Sequence, residues 1–149
     1  VNSQGQFNVP FGRYKNPNIL NKTVLKAVHK YLNKNDVKIL NEDFEIAVQD
    51  TKKGDFVYFD PPYDPVSDTA SFTGYDINGF DRNEQKRLKK VYDHLTEKGV
   101  KCLLSNSATE FILDLYSNYN PILIVSASRN INSVAKQRGK VSEVLVKNW

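Results

Sequence analysis

Apolar positions along the chain fall into short runs of two different periods, and each period predicts an element. After an aperiodic start, Val24, Leu25, Val28, Tyr31 and Leu32 recur at three- and four-residue steps between Asn21, a candidate N-cap, and the polar stop Asn33-Lys34-Asn35. That spacing predicts an amphipathic helix. Val37-Lys38-Ile39-Leu40 alternates like a short strand, closed by Asn41-Glu42-Asp43, and Phe44, Ile46, Ala47 and Val48 fit a short helix or turn. Behind the breaker Lys52-Lys53-Gly54-Asp55 stands Phe56-Val57-Tyr58-Phe59, a continuous apolar run of the kind that marks a parallel strand covered on both faces. It stops at Asp60-Pro61-Pro62. A long helix is predicted from its cap, Asp81, through Lys98, with Gln85, Leu88, Val91, Tyr92 and Leu95 on one face and Gly99 ending it.

A buried strand over Val100 to Leu104 follows, and Ser105-Asn106-Ser107-Ala108 leads into a helix carrying Phe111, Ile112, Leu115 and Tyr116. Two further strands are predicted, Ile122 to Val125 and Val141 to Val146. Strands alternating with helices predict an α/β layer around a largely parallel sheet. Val1 to Asn18, with its prolines, glycines and asparagines and no sustained period, reads as irregular or hairpin-like.

Composition narrows the classes. At 149 residues and 40% apolar content the chain can bury a core as one domain without staples. The one cysteine, Cys102, excludes a disulfide framework and a multi-cysteine zinc site and points to a reducing compartment. A mean hydropathy of -0.54 and the lack of a long apolar run predict no membrane span. No signal peptide is visible at the start. The excess of 21 Lys and Arg over 17 Asp and Glu, +4, with a pI near 9.1, admits a polyanionic partner but equally serves solubility. No metal is predicted, because His29 and His94 are lone helical histidines.

Chemistry concentrates at Asp60-Pro61-Pro62-Tyr63. Ligands of open α/β sheets sit outside the carboxyl ends of the strands, and this tetrapeptide falls at such an end. Two prolines remove two backbone donors and hold the chain extended, so a carboxylate and a fixed carbonyl, those of Asp60 and Pro61, stand as an acceptor pair for an amino group. Tyr63 adds a ring on which a planar base can stack, worth about 1–3 kcal/mol. The alternative reading is that the tetrapeptide only ends a strand and begins a loop.

On these residues the chain resembles the Dam-type DNA adenine-N6 methyltransferases, whose signature is Asp-Pro-Pro-Tyr. The likeness extends to Phe7-Asn8-Val9-Pro10-Phe11-Gly12-Arg13-Tyr14-Lys15-Asn16-Pro17, similar to that family's target-recognition segment. It also takes in Pro65, Ser67, Thr69, Phe72, Thr73 and Tyr75, Leu104-Ser105-Asn106, and the stretch from Arg129 to Val144. The resemblance implies a Rossmann-like methyltransferase sheet that moves a methyl group from S-adenosylmethionine to the exocyclic amine of an adenine, in GATC of double-stranded DNA. The base must be flipped out of the duplex to be reached. It implies that Asp60, the Pro61 carbonyl and Tyr63 hold the adenine, and that Asp60, Asp43 and Phe44 contribute to the cofactor site. Asn2, Pro10, Arg13, Tyr14 and Lys15 fall at its DNA-contacting positions. Arg129, Lys136, Arg138 and Lys140 form a basic loop suited to phosphates. Phe72 and Tyr75 are candidates to close over the pocket or to pack.

By the resemblance, residues 1–18 end the target-recognition segment and residues 19–149 form the C-terminal part of the catalytic domain, in a bacterial or phage-encoded cytoplasmic enzyme. The family's glycine-containing cofactor loop and its guanine-reading arginine have no counterpart here. The chain is therefore expected to be a portion of a longer enzyme, with the N-terminal strands of the sheet missing between Val37–Leu40 and Phe56–Phe59. Such a gap leaves open strand edges, and the expectation is pairing with the missing half or self-association. Two other functions compete. One is a catalytically inactive DNA-binding module of the same fold. The other is a methyltransferase acting on a protein amide, whose signature opens with Asn rather than with Asp60.

Overall fold

The computed structural model describes residues 4–6, 15, 19–34, 36–66, 79–128 and 140–149. Two compact units divide the chain, Val1–Asn41 and Glu42–Trp149. The first contains α1 (Lys22–Leu32), whose cap is the predicted Asn21: its side chain accepts the Val24 N–H at 3.1 Å. The predicted strand at Val37–Leu40 does not form. Four alternating residues hold as a strand only when a neighbour completes the backbone ladder, and among the described residues none pairs with them.

The second unit contains α2 (Phe44–Ala47), β1 (Phe56–Phe59), α3 (Arg82–Glu97), β2 (Lys101–Ser107), α4 (Glu110–Leu115), β3 (Leu123–Ser128) and β4 (Lys140–Lys147). Its sheet runs β1-β2-β4-β3. β1 and β2 are parallel, with Phe59 opposite Leu104, whereas β4 is antiparallel both to β2 and to β3. The expectation of a largely parallel sheet is thus corrected to a mixed one. The reason is connection length: α3 gives β1 and β2 the long crossover a parallel pair requires, but the residues from 129 to 139 are fewer than the dozen or so such a crossover needs.

α3 follows its pattern closely. The Asp81 carboxylate accepts the N–H groups of Asn83 and Glu84 at 2.8 and 3.0 Å, and the buried residues are Gln85, Leu88, Val91, Tyr92 and Leu95. At the other end Gly99 takes a φ of 81°, where a side chain is strained. Its N–H bonds to the Thr96 carbonyl and that of Val100 to Leu95, closing the helix in a Schellman motif.

The apolar side of α3 packs on one face of the sheet with Phe59, Cys102, Leu104, Val144 and Val146, and with Ile112 and Tyr116 from the α4 region. Burial lifts the Cys102 thiol to about 11, which makes it an inert packing residue. Among the described residues coverage of β1 is one-sided, contrary to the reading of its apolar run. Phe59 is buried, but Phe56 is 57% and Tyr58 51% exposed. β1 is also an edge strand among the described residues, so its outer backbone groups have no ladder partner there.

Candidate active site

Parallel register carries the site. Because Phe59 lies opposite Leu104, the residues that follow, Asp60 just beyond β1 and Ser105 within the last three residues of β2, come side by side. The Ser105 hydroxyl donates to Asp60 Oδ1 at 2.7 Å and accepts the Tyr58 phenol at 2.9 Å. Asp60 itself is exposed, and among the described residues no hydrogen bond engages its Oδ2. One carboxylate oxygen is fixed and the other is presented outward.

The rest of the tetrapeptide is tied from beneath by buried polar groups. Gln85 Nε2 of α3 donates to the Pro62 carbonyl at 2.8 Å, and Asn106 Nδ2 donates to Gln85 Oε1 at 3.1 Å. Asn106 Oδ1 accepts the N–H groups of Asp64 and Ser107 at 2.9 and 2.8 Å. The Asp64 carboxylate, 2% exposed, receives Arg82 Nε and Nη2 at 3.0 and 3.2 Å and the Thr109 hydroxyl at 2.7 Å. Each of these buried groups is satisfied, as a rigid polar cluster requires.

Tyr63 stands half-buried beside Asp60. Burial raises its phenol above the ordinary value, a hydrogen bond with Ser105 opposes the shift, and the charges of Asp60 and Glu143 reinforce it. The ring therefore stays uncharged at neutral pH. Next to the loop opens a cleft of about 880 Å³ lined by Pro65, Val66, Arg82, Thr109 and Phe111 among others, with the Arg82 guanidinium 4.6 Å from the centre of the Phe111 ring.

Asp43 and Phe44, expected at the cofactor site, face α3. Asp43 caps α2 by accepting the Glu45 N–H at 2.9 Å, and its two oxygens take Arg87 Nη1 and Nη2 at 2.9 and 2.7 Å. The Arg87 guanidinium lies 4.1 Å from the Phe44 ring centre, and Phe80 meets that ring edge-on at 6.1 Å. The Arg87 bonds, followed by the Glu45 N–H, hold the Asp43 carboxyl down at about 2. A folded-state value below the unfolded one stabilises the fold above the ordinary carboxylate range, and that contribution disappears as pH falls towards 2. An NMR titration of Asp43 is expected to find a midpoint near 2, moving up towards the ordinary value, about 3.9, in Arg87→Leu. A midpoint unmoved by that substitution would disprove the pairing.

Of the predicted site residues, the structure brings Asp60, Pro61 and Tyr63 together at one strand end and places Asp43 and Phe44 against Arg87. Lys15 is exposed. Asn2, Pro10, Arg13, Tyr14, Phe72, Tyr75, Arg129, Lys136 and Arg138 lie outside the described residues. Sequence reasoning put Gln85 on the buried helix face and Ser105 and Asn106 within the family likeness, but gave none of these, nor Asp64 or Arg82, a role in the site. The available signals were a glutamine within an apolar helix face and a Ser-Asn-Ser run continuing a buried strand.

Residues 1–131 match the family model described as D12 class N6 adenine-specific DNA methyltransferase. The chain is 46% identical over 149 residues to the type II methyltransferase M1.LlaDCHI of Lactococcus lactis subsp. cremoris, covering 100% of this chain and 52% of that protein. It is 45% identical over 151 residues to the type II methyltransferase M.MjaIII of Methanocaldococcus jannaschii, covering 100% and 51%. To the DNA adenine methylase of Serratia marcescens it is 37% identical over 145 residues, covering 97% and 52%. The chain thus spans about half the length of the curated relatives it matches.

Proposed function

We propose, for a chain that belongs to the D12 class of N6 adenine-specific DNA methyltransferases, that its strand-end loop binds an adenine flipped from GATC in duplex DNA and methylates the exocyclic nitrogen. The observation that carries this reading is the outward Asp60 carboxylate, anchored by Ser105 at 2.7 Å, in a loop whose two prolines leave a carbonyl free to act beside it. An adenine amine is a weak nucleophile because its lone pair is delocalised into the ring. Acceptors on both amine hydrogens favour the pyramidal form and release that lone pair. Asp60 Oδ2 and the Pro61 carbonyl take these two positions, and the uncharged Tyr63 ring stacks on the base.

S-adenosylmethionine, when bound, would supply an electrophilic methyl group and leave as the neutral thioether, and the adenine amine that takes the methyl must lose one proton. Asp60 lies where it can accept that proton. For the cofactor, Asp43 Oδ2 keeps acceptor capacity beyond its Arg87 bond, whereas one face of Phe44 is already occupied by the guanidinium. Recognition of the adenosyl end is therefore assigned to the Asp43 carboxylate more than to the Phe44 ring. The open edge of β1 is the place where the reading puts a further strand, from another segment of the enzyme or from a second copy.

The direct test is calorimetric titration of S-adenosylmethionine into the protein with and without a hemimethylated GATC duplex, with methyl transfer assayed in the same samples. The expected product is N6-methyladenine at the unmodified adenine. Binding of both ligands without transfer to that nitrogen would refute the reading, and binding of DNA without cofactor would favour a DNA-binding module.

A further inference from the structure

The tetrapeptide is held by two amides whose orientation is forced. Asn106 Oδ1 accepts two backbone N–H groups, from Asp64 and Ser107, so that atom must be oxygen and its Nδ2 must donate. Nδ2 meets Gln85 Oε1 at 3.1 Å, which turns Gln85 Nε2 onto the Pro62 carbonyl at 2.8 Å. Both side chains are sealed from water, Gln85 at 1% and Asn106 at 0% exposure. Burying two amides is unfavourable unless every polar atom is matched, and a leucine would fill the same place on the apolar face of α3 at less desolvation cost. The terminal bond of the relay is therefore its distinctive feature, and it falls on the carbonyl that follows the proposed Pro61 acceptor.

We propose that Gln85, oriented by Asn106, is a positioning residue that aims the Pro61 carbonyl at the substrate amine by pinning the Pro62 carbonyl to α3. The inference rests on the reading of Asp60 and Pro61 as the amine acceptors. Its stereochemical basis is the double proline. Asp60 and Pro61 each precede a proline, so both are confined to extended backbone, and Pro61 and Pro62 have φ fixed by their rings. In an extended segment successive carbonyls point to different sides. Pro62 is not followed by a proline, so its ψ is the torsion the rings leave open; the bond to Gln85 fixes it, and with the other torsions already confined that bond sets how the Pro61 carbonyl stands relative to α3. Ser105 sets the carboxylate arm and Gln85 the carbonyl arm, so the two acceptors are held by two different elements, β2 and α3.

The test compares affinities for two GATC duplexes, one with adenine at the target opposite an abasic site and one with purine, which lacks the amine, at the same place. Both are measured by fluorescence anisotropy with S-adenosylhomocysteine present. The unsubstituted protein is expected to bind the adenine duplex about tenfold more tightly, the worth of roughly one charge-assisted hydrogen bond. Gln85→Met keeps the length of the side chain and Gln85→Leu keeps its apolar bulk, and neither can donate to Pro62. Either is expected to reduce the preference to about twofold or less while leaving purine-duplex affinity unchanged. A merely structural role would weaken both duplexes together. Thermal unfolding checks each variant, and the second keeps the comparison decisive should the first not fold. A folded variant that retains the full amine preference overturns the role of Gln85 alone. An unsubstituted protein indifferent to the amine overturns the acceptor reading and this inference with it.

Discussion

Asp60→Ala is expected to lower the rate of adenine methylation by about 10²- to 10³-fold, the usual cost of losing one preorganised group at the reacting centre. The fold is expected to survive, and affinity for the adenine duplex to fall by no more than the roughly tenfold that the amine contributes. Asp60 is exposed, and its described hydrogen bond is with Ser105, whose hydroxyl keeps the Tyr58 phenol as a partner. The loop remains tied through Pro62 and Asp64, neither of which depends on the Asp60 carboxylate. Asp60→Asn separates charge from geometry: an amide oxygen can still accept a hydrogen, but without the extra strength of a charged acceptor, so a loss of about tenfold is expected. Single-turnover methyl transfer with the intact enzyme on a hemimethylated duplex checks both. Near-normal turnover in Asp60→Ala would remove the carboxylate from the mechanism. Equal losses in the two variants would show that charge, and not acceptor geometry, is what Asp60 provides.

How far such a site can be read from sequence depends on the range of the interactions that build it. The tetrapeptide was legible because its chemistry is local: a carboxylate, two missing donors and a ring in four consecutive residues. The buried face of α3 was legible for the same reason, since Leu88, Val91, Tyr92 and Leu95 repeat at helical spacing and all are buried. Gln85 was placed on that face correctly, yet its role depends on Asn106 and Pro62, 21 and 23 residues away, and no periodicity encodes an amide pair of that kind. Ser105 is 45 residues from the Asp60 it orients, and only the strand register brings the two together.

The misreadings have the same physical origin. Phe56 and Tyr58 have the hydrophobicity of a doubly covered strand, but coverage is a property of what packs on them, and only the Phe59 side meets α3 residues such as Tyr92. Val37 to Leu40 has a strand's alternation and no neighbour to pair with among the described residues. The direction of β4 was not recoverable, because the predicted strands left fifteen residues between Val125 and Val141, enough for a parallel return, and only the observed ends of β3 and β4 shorten that connection. Local pattern thus defined the surfaces each segment offers, and tertiary pairing decided which of them became strand, core or site.

Tyr92→Ala is expected to be the most damaging single change to the fold, at about 3–5 kcal/mol of stability. Tyr92 is fully buried, and its ring is met by Phe59 at 6.1 Å, Tyr116 at 5.5 Å and Tyr119 at 4.8 Å. Removing it opens a cavity at the junction of α3, β1, β2 and the α4 region and strips three aromatic contacts at once. Its hydroxyl also reaches the Cys102 carbonyl at 2.9 Å and the Val146 carbonyl at 3.2 Å, so one side chain pins the two central strands to α3. Tyr92→Phe isolates that second contribution and is expected to cost only about 1 kcal/mol, because the Cys102 carbonyl keeps the Asn148 N–H at 3.3 Å. The separation matters for function, since β2 carries Ser105 and Asn106 beyond this junction: the alanine variant should loosen the Asp60 loop, while the phenylalanine variant should leave it in place. Urea unfolding followed by circular dichroism gives both values, and a domain of this size should lose about 2–4 °C of melting temperature per kcal/mol. If Tyr92→Ala cost no more than Tyr92→Phe, packing around the ring would contribute little, and the rigidity of the strand ends that hold Asp60 would have to originate elsewhere.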